Sequence, residues 1–492
     1  MLPILIISIL LISAVCLCFI KNVAHAKIFA MATYGAALAL AVVMAATIVS
    51  DGYISLIIGS APWNIEILAG PVDAIIVLIF TGISFFIMWA SLSMLGHDLE
   101  PKRIPYYYAL MSALIAALCG VVMFNSFFNI FIWIEIGSFA AAGIVIIKNK
   151  PETLKAGLKY LSLSIMGSGF MLMGIVTLFF MAGTTTFSMT DLGVYIANNF
   201  AGNESSVHIA LVFLTIGLAL KAALFPLHIW LPDAHGSAVS PSSAVLSALV
   251  LKAPIIFYIK ILHRVIGIEN MLNDPFLSTM LMVVMIAGVS AMMFGSMMAL
   301  LQKDIKRMIA YSSVAQIGYI FMGIGMGTTL GLLAAIFHIL AHAVAKSTLF
   351  LVAGSTIEQT GEKYISKMAG LGKKMPITMA LFTLGALSMI GIPLFIGFNS
   401  KWFFGMAIVD SQHIWLMIVL ALSAMLNGLY YLPIVVRAYL GKEAKEAAAA
   451  KINIERPVKN LMPIMILAGL IIIIALASSP IYNYIDYAIG RI

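Results

Sequence analysis

Apolar residues in this chain come in long unbroken runs rather than in alternation. Runs of about 20 residues, each enough to cross roughly 30 Å of hydrocarbon as a helix, recur throughout. Fourteen are expected, at 2–20, 28–49, 70–95, 106–122, 126–147, 157–182, 207–230, 240–262, 278–301, 309–326, 329–357, 376–403, 412–439 and 460–484. Continuous runs mean helices, because a barrel strand alternates between lipid and lumen. The first run, MLPILIISILLISAVCLCFIK, has no basic residue ahead of it and reads as a span rather than a signal peptide.

Composition agrees, since 62% hydrophobic and 10% charged residues exclude a soluble domain of this size. The fold class is an all-α polytopic membrane protein. Cations fall on alternate loops, at Lys21 and Lys27, Lys102 and Arg103, Lys148 to Lys159, Lys303 to Arg307, Lys363 to Lys374, and Arg437 to Lys459. Only Lys260, Arg264 and Arg491 are expected at the other ends of the spans. The positive-inside rule makes the basic side cytoplasmic and puts both termini outside the cell membrane. The same bias accounts for the net charge of +8 without a nucleic-acid partner. Cys16, Cys18 and Cys119 are too few for an ordinary iron–sulfur cluster, and no phosphate-binding loop or dinucleotide fingerprint occurs. The chain is therefore expected to hold no cofactor or metal, and to draw energy from a gradient or another subunit.

Charges remain inside the spans, where each costs roughly 2.5–3.5 kcal/mol even on mild scales and marks a functional hypothesis. They are Glu135 in FIWIEIGSF, Lys221, Lys252 in LVLKAPII, His338, His342 and Lys346 in FHILAHAVAKSTLF, and Lys401 in GFNSKWFF. Glu135 and Lys221 could be a structural ion pair, and Lys401 could snorkel from a helix end. The spacing of i, i+4 and i+8 places His338, His342 and Lys346 along one helix face, which packing alone explains poorly. Buried lysines and histidines change protonation readily, so the row suits a proton relay better than a solute pocket.

Two spans are also interrupted. LALKAALFPLHIWLPDAH holds Pro226, His228, Pro232, Asp233 and His235, and IGIPLFIGFNSK holds Gly391, Pro393 and Gly397 five spans later. Irregular backbone at membrane depth survives only against protein or a water-filled cavity. Paired breaks in corresponding halves are the mark of inverted repeats with an ion site at the breaks.

KAALFPLHIWLPDAHGSAVSPSSAVLSALVLK resembles the most characteristic segment of the antiporter-like subunits shared by respiratory complex I, Mrp-type sodium/proton antiporters and membrane-bound hydrogenases. FNIFIWIEIGSF, LQKDIKRMIAYSSVAQIGYIFMGIG, HILAHAVAKSTLFLVAGS and GIPLFIGFNSKW extend the likeness over roughly residues 70 to 410. The resemblance implies helices 1–3 over 1–105, one five-helix repeat over 106–264, an inverted second over 278–440, a cytoplasmic connector at 441–459 and a last helix in 460–492, with spans 7 and 12 broken. It also implies that Glu135 pairs with Lys221, that Lys252 connects onward, that His338, His342 and Lys346 form the central link, and that Lys401 ends the row. Asp233 and His235 would shape the first break. Val239 stands where the family often has proline, and Ala253 and Pro254 where it has glycine, which leaves the direction of Lys252 open.

Length and the lysine of span 12 look most like the D-type subunits of Mrp antiporters and their archaeal hydrogenase and sulfur-reducing counterparts. The expected function is proton translocation within such a complex, beside membrane partner subunits, with any iron–sulfur clusters or nickel–iron held by partners and sodium exchanged elsewhere. The competing expectations are a proton-pumping subunit of quinone-linked NADH dehydrogenase, a non-conducting structural subunit, and a stand-alone organic-solute transporter.

Overall fold

The computed structural model describes residues 1–60, 64–183, 188–441 and 454–492. Lys442, Lys445 and Lys451 of the expected connector lie outside the described residues. Thirteen helices among the described residues are long and apolar enough to cross a membrane. They are spans 1 (Leu2–Phe19), 2 (Val23–Asp51), 3 (Pro71–Asp98), 4 (Pro101–Met123), 5 (Phe127–Ile146), 6 (Pro151–Ala182), 7 (Glu204–Lys221), 8 (Ser240–Ile266), 9 (Pro275–Leu300), 10 (Ile305–Gly325), 11 (Thr329–Thr360), 13 (Leu416–Leu440) and 14 (Val458–Leu476). The fourteenth crossing is span 12, split into Pro376–Ile390 and Ile396–Asp410, so neither half is long enough to count alone.

Burial sorts the helices. Spans 8, 10 and 11 are buried almost all round, whereas spans 1, 2, 6 and 13 keep most of their surface outward. A helix enclosed on every side can carry polar groups on any face, and spans 8 and 11 carry Lys252 and the histidine stripe. Close helix approach needs small residues, since lipid tails supply no hydrophobic drive between helices. Gly167 therefore faces Gly217 between spans 6 and 7, and Gly288 faces Gly318 between spans 9 and 10; a Cβ on any of the four would press into the other helix's backbone.

Elements at the ends complete the bundle. Ile54–Ile58 and Ile65–Ala69 form an antiparallel hairpin between spans 2 and 3, with Ile54 opposite Ala69 and Leu56 opposite Ile67. The helix Met189–Asn199 joins spans 6 and 7, its first turn capped by the Ser188 hydroxyl. A further helix, Ser478–Ile489, follows span 14. At the lysine-rich end Glu455 accepts bonds from the backbone N–H groups of Ile377 and Thr378, meeting the first turn of span 12. Arg456 pairs with Glu358 at the end of span 11.

Three expectations need correction. Lys260 is not a loop cation: span 8 continues past it, and its side chain is 3% exposed beside Asp73. Lys306 is likewise buried in the first turn of span 10, where Nζ donates to Ala238 O at 2.5 Å. Pro232 does not interrupt a helix but begins one, Leu231–Ser237, where its missing N–H costs nothing.

Candidate functional site

The first break opens where the helix of span 7 ends at Lys221, and the chain runs irregularly through 222–230 before Leu231–Ser237. Ala223 takes a left-handed φ of 57°, a strained state for alanine. Trp230 Nε1 donates to Leu220 O at 3.2 Å and satisfies one of the carbonyls the helix end leaves free. The second break runs from Gly391, at φ 93°, to Phe395, with Pro393 inside it and Leu394 left-handed at φ 81°. Gly397 lies on Ser388, whose carbonyl oxygen would be only 1.8 Å from an added Cβ.

At the first break the cation meets its carboxylate. Lys221 Nζ lies 3.1 Å from Glu135 Oε1, and it donates to Ser138 Oγ and Ser164 Oγ at 3.0 Å each. Ser168 donates to the same Glu135 oxygen. Lys221 is 7% exposed and Glu135 is only partly enclosed, so the pair joins the interior to a more open side. Between Lys221 and span 8 lies a cavity of about 30 Å³, lined by Ser138, Tyr160, Val250 and Pro254 among others. That volume admits a water molecule.

Span 8 turns Lys252 away from Lys221 and toward span 11. Residues Leu246–Val250 form a π-helical turn, and the α-helix Lys252–Lys260 restarts behind it with Pro254 in its first turn. The wider turn absorbs the proline that would otherwise break the ladder, and such turns recur at functional sites. Lys252 Nζ donates to Ser247 O and lies 2.6 Å from His342 Nδ1. The open question of its direction thereby resolves onto the histidine stripe.

From there the row continues in both directions along span 11. Lys346 Nζ donates to Ile309 O at 2.9 Å and to Ser312 Oγ, and Ser312 lies 2.9 Å from Tyr431 OH. The rings of His342 and His338 have centroids 6.1 Å apart, and His338 Nδ1 is 2.7 Å from Ser400 Oγ. Lys401, next in sequence, donates to Met389 O at 3.0 Å and Ile390 O at 2.5 Å, buried carbonyls at the end of the first half of span 12. It is 8% exposed and lies over the Tyr319 ring, so it does not snorkel. A Cβ on Gly391 would meet the Lys401 chain at 2.7 Å, so glycine there is what lets the lysine cross the break.

The remaining candidates stand at the lysine-rich end. Asp233 pairs with Lys159 at 2.7 Å and Arg307 at 3.3 Å, tying span 6 to span 10. His228 is half-buried, stacks on Phe225 and stands edge-on to Tyr311. His235 is fully buried against Phe350, with neither ring nitrogen hydrogen-bonded among the described residues. Among the seven relay candidates two pairs are in direct contact, Glu135 with Lys221 and Lys252 with His342, while His338, Lys346 and Lys401 bond to serines and backbone carbonyls beside them. The serines and Tyr431 that hold them were missed in the sequence, although Ser164 and Ser168, four apart in an apolar helix, were a readable sign.

Residues 124–427 match the family described as NADH:quinone oxidoreductase/Mrp antiporter, TM. The chain belongs to this family. The N subunit of the NADH-quinone oxidoreductase of Desulforudis audaxviator is 33% identical over 440 residues, covering 87% of this chain and 85% of that one. The D subunit of the Na(+)/H(+) antiporter of Alkalihalophilus pseudofirmus is 28% identical over 452 residues, covering 91% and 88%. Among solved structures, a chain of the archaeal membrane-bound sulfane sulfur reductase superposes with TM-score 0.89 at 27% identity, covering 99% of this chain and 97% of that one. The Mrp complex of Dietzia sp. contributes a chain with TM-score 0.88 at 20% identity, covering 100% and 96%, a likeness of fold alone. This antiporter-like membrane subunit therefore shares its whole architecture with subunits of several kinds of complex.

Proposed function

We propose that the chain translocates protons as one membrane subunit of a larger complex of the Mrp or membrane-bound hydrogenase type. The observation that carries this reading is the bond between Lys252 Nζ and His342 Nδ1, 2.6 Å long and fully enclosed. It joins two exchangeable sites from different halves of the chain, 106–264 and 278–440, where a structural ion pair would join opposite charges. A charge change near Glu135 alters the proton affinity of Lys221, and the effect reaches Lys252 across span 8, whose Val250, Ala253 and Pro254 line the cavity beside Lys221. The proton then passes through His342 and His338 toward Lys401. The lysine-rich loops face the cytoplasm in this reading, within the cell membrane, and iron–sulfur or nickel–iron chemistry, where the parent complex has it, sits in partner subunits.

Replacement of Lys221 or Glu135 by alanine in the assembled, vesicle-reconstituted complex tests this. Proton movement is expected to fall by about a hundredfold, in the range of a lost acid–base group. Unchanged movement with intact assembly overturns the relay. A second parent, quinone-linked NADH dehydrogenase, is favoured by the 33% identity to an N subunit of that enzyme class. Purification with nickel–iron, sulfur-reducing or quinone-binding subunits decides between them.

A further inference from the structure

Span 13 keeps most of its surface outward, yet the face it turns inward is polar. Ser423, Asn427, Tyr430 and Tyr431 are buried along it at helical spacing. A polar stripe of this kind either glues helices together or serves a group opposite it. Opposite lies the end of the first half of span 12, whose last carbonyls need partners beyond the regular helical ladder. Leu387 O accepts from the N–H groups of Gly391 and Ile392, and Ser388 O accepts from Gly391 N–H. Ile390 O accepts from Lys401 Nζ at 2.5 Å. Met389 O accepts twice, from Lys401 Nζ at 3.0 Å and from Asn427 Nδ2 at 3.3 Å.

Chemistry fixes which way the amide points. A carbonyl can only accept, so the NH2 end of Asn427 must face Met389 and its oxygen must turn away. That oxygen, Oδ1, accepts from the Tyr430 hydroxyl. The positive end of the amide and the Lys401 ammonium therefore converge on one oxygen atom. Lys401 has no carboxylate partner among the described residues to offset this. Span 10 sets the Tyr319 ring beneath it, 5.6 Å from Nζ to centroid, span 11 brings His338 to the adjacent Ser400, and span 13 adds the uncharged Leu420, Ala421 and Ala424.

We propose that Asn427 is a positioning residue for Lys401, sharing the Met389 carbonyl so that the ammonium is held loosely enough to exchange its proton. Such a role rests on the reading of Lys401 as the end of the relay. An acceptor already engaged by one donor stabilises a second donor less, so the charged lysine gains less from Met389 than it would alone. Asn427 also keeps a donor on Met389 O when Lys401 is neutral, and the buried helix end is not left unpaired. Its amide does not titrate, so it neither takes nor passes a proton itself.

Asn427→Leu removes the donor at nearly constant volume. Expected in the vesicle-reconstituted complex are intact assembly and a pH of half-maximal proton movement displaced by about one unit to the alkaline side, because a lysine held more firmly gives up its proton at higher pH. An unmoved profile overturns the role, and so does a lower yield or unfolding temperature with the profile in place, which is the behaviour of helix glue. Asn427→Asp decides the matter where leucine does not assemble. It keeps the shape, puts an acceptor where the donor stood and gives Lys401 a counter-charge, so the displacement should be larger; a profile at the wild-type position overturns the role. Lys401→Met measured alongside separates the two ideas. Normal movement in that variant sinks Lys401 as the end of the relay, whereas lost movement there with unmoved profiles in the Asn427 variants sinks Asn427 alone.

Discussion

Lys252 Nζ and His342 Nδ1 stand 2.6 Å apart, between helices that share no sequence neighbourhood and with neither side chain open to solvent. Their contact is the link between span 8 and the histidine stripe of span 11. Lys252→Met, close in shape but without the amine, should lower proton movement about a hundredfold. Assembly should persist, because removing the charge also removes its burial cost. Vesicle dye-quench assays with assembly checked by native gel would measure both.

Glu135→Gln removes the carboxylate and leaves Lys221 to three neutral or weak acceptors. Stranding one partner of a buried pair costs about 3–5 kcal/mol, so thermal unfolding should come earlier and movement should fall. Adding Lys221→Met should restore the unfolding temperature and leave movement lost. A double variant that regains both would show that the pair serves packing alone.

The second break is sterically tighter than the first. Gly397→Ala sets a Cβ against the Ser388 carbonyl, a backbone atom that cannot swing aside, whereas Gly391→Ala meets the flexible Lys401 chain. Gly397→Ala should therefore abolish assembly. Gly391→Ala, strained by its positive φ by about 1–3 kcal/mol, should assemble poorly and displace Lys401. Comparing membrane yields of the two variants tests the order.

Glu455 caps the first turn of span 12 from the stretch that leads into span 14. Glu455→Ala should cost about 1 kcal/mol, the usual value of a lost cap, and leave proton movement per assembled complex unchanged. A large loss of movement at normal yield would place Glu455 in the ion route instead.

Much of the bundle was readable because crossing a bilayer demands about 20 apolar residues. The breaks were readable from Pro226 and from Gly391 with Pro393, which cannot continue a helix. The hairpin was not, although YISLII and NIEILA are strand-like, because short apolar runs near a span look like its extension. Lys260 and Lys306 were misplaced for a different reason: position near a helix end says nothing of whether neighbouring helices enclose it. Ser312 and Ser400 gave no signal either, since a serine in a span can bond its own helix and need not serve another residue.

The two ends of the row hold their cations differently. Lys221 has a carboxylate, whereas Lys401 rests on the carbonyls of Met389 and Ile390. Deprotonation consequently leaves net negative charge at the first end and electrical neutrality at the second. The row is therefore asymmetric in charge from one end to the other, and a field applied at one flank is felt unequally at the other.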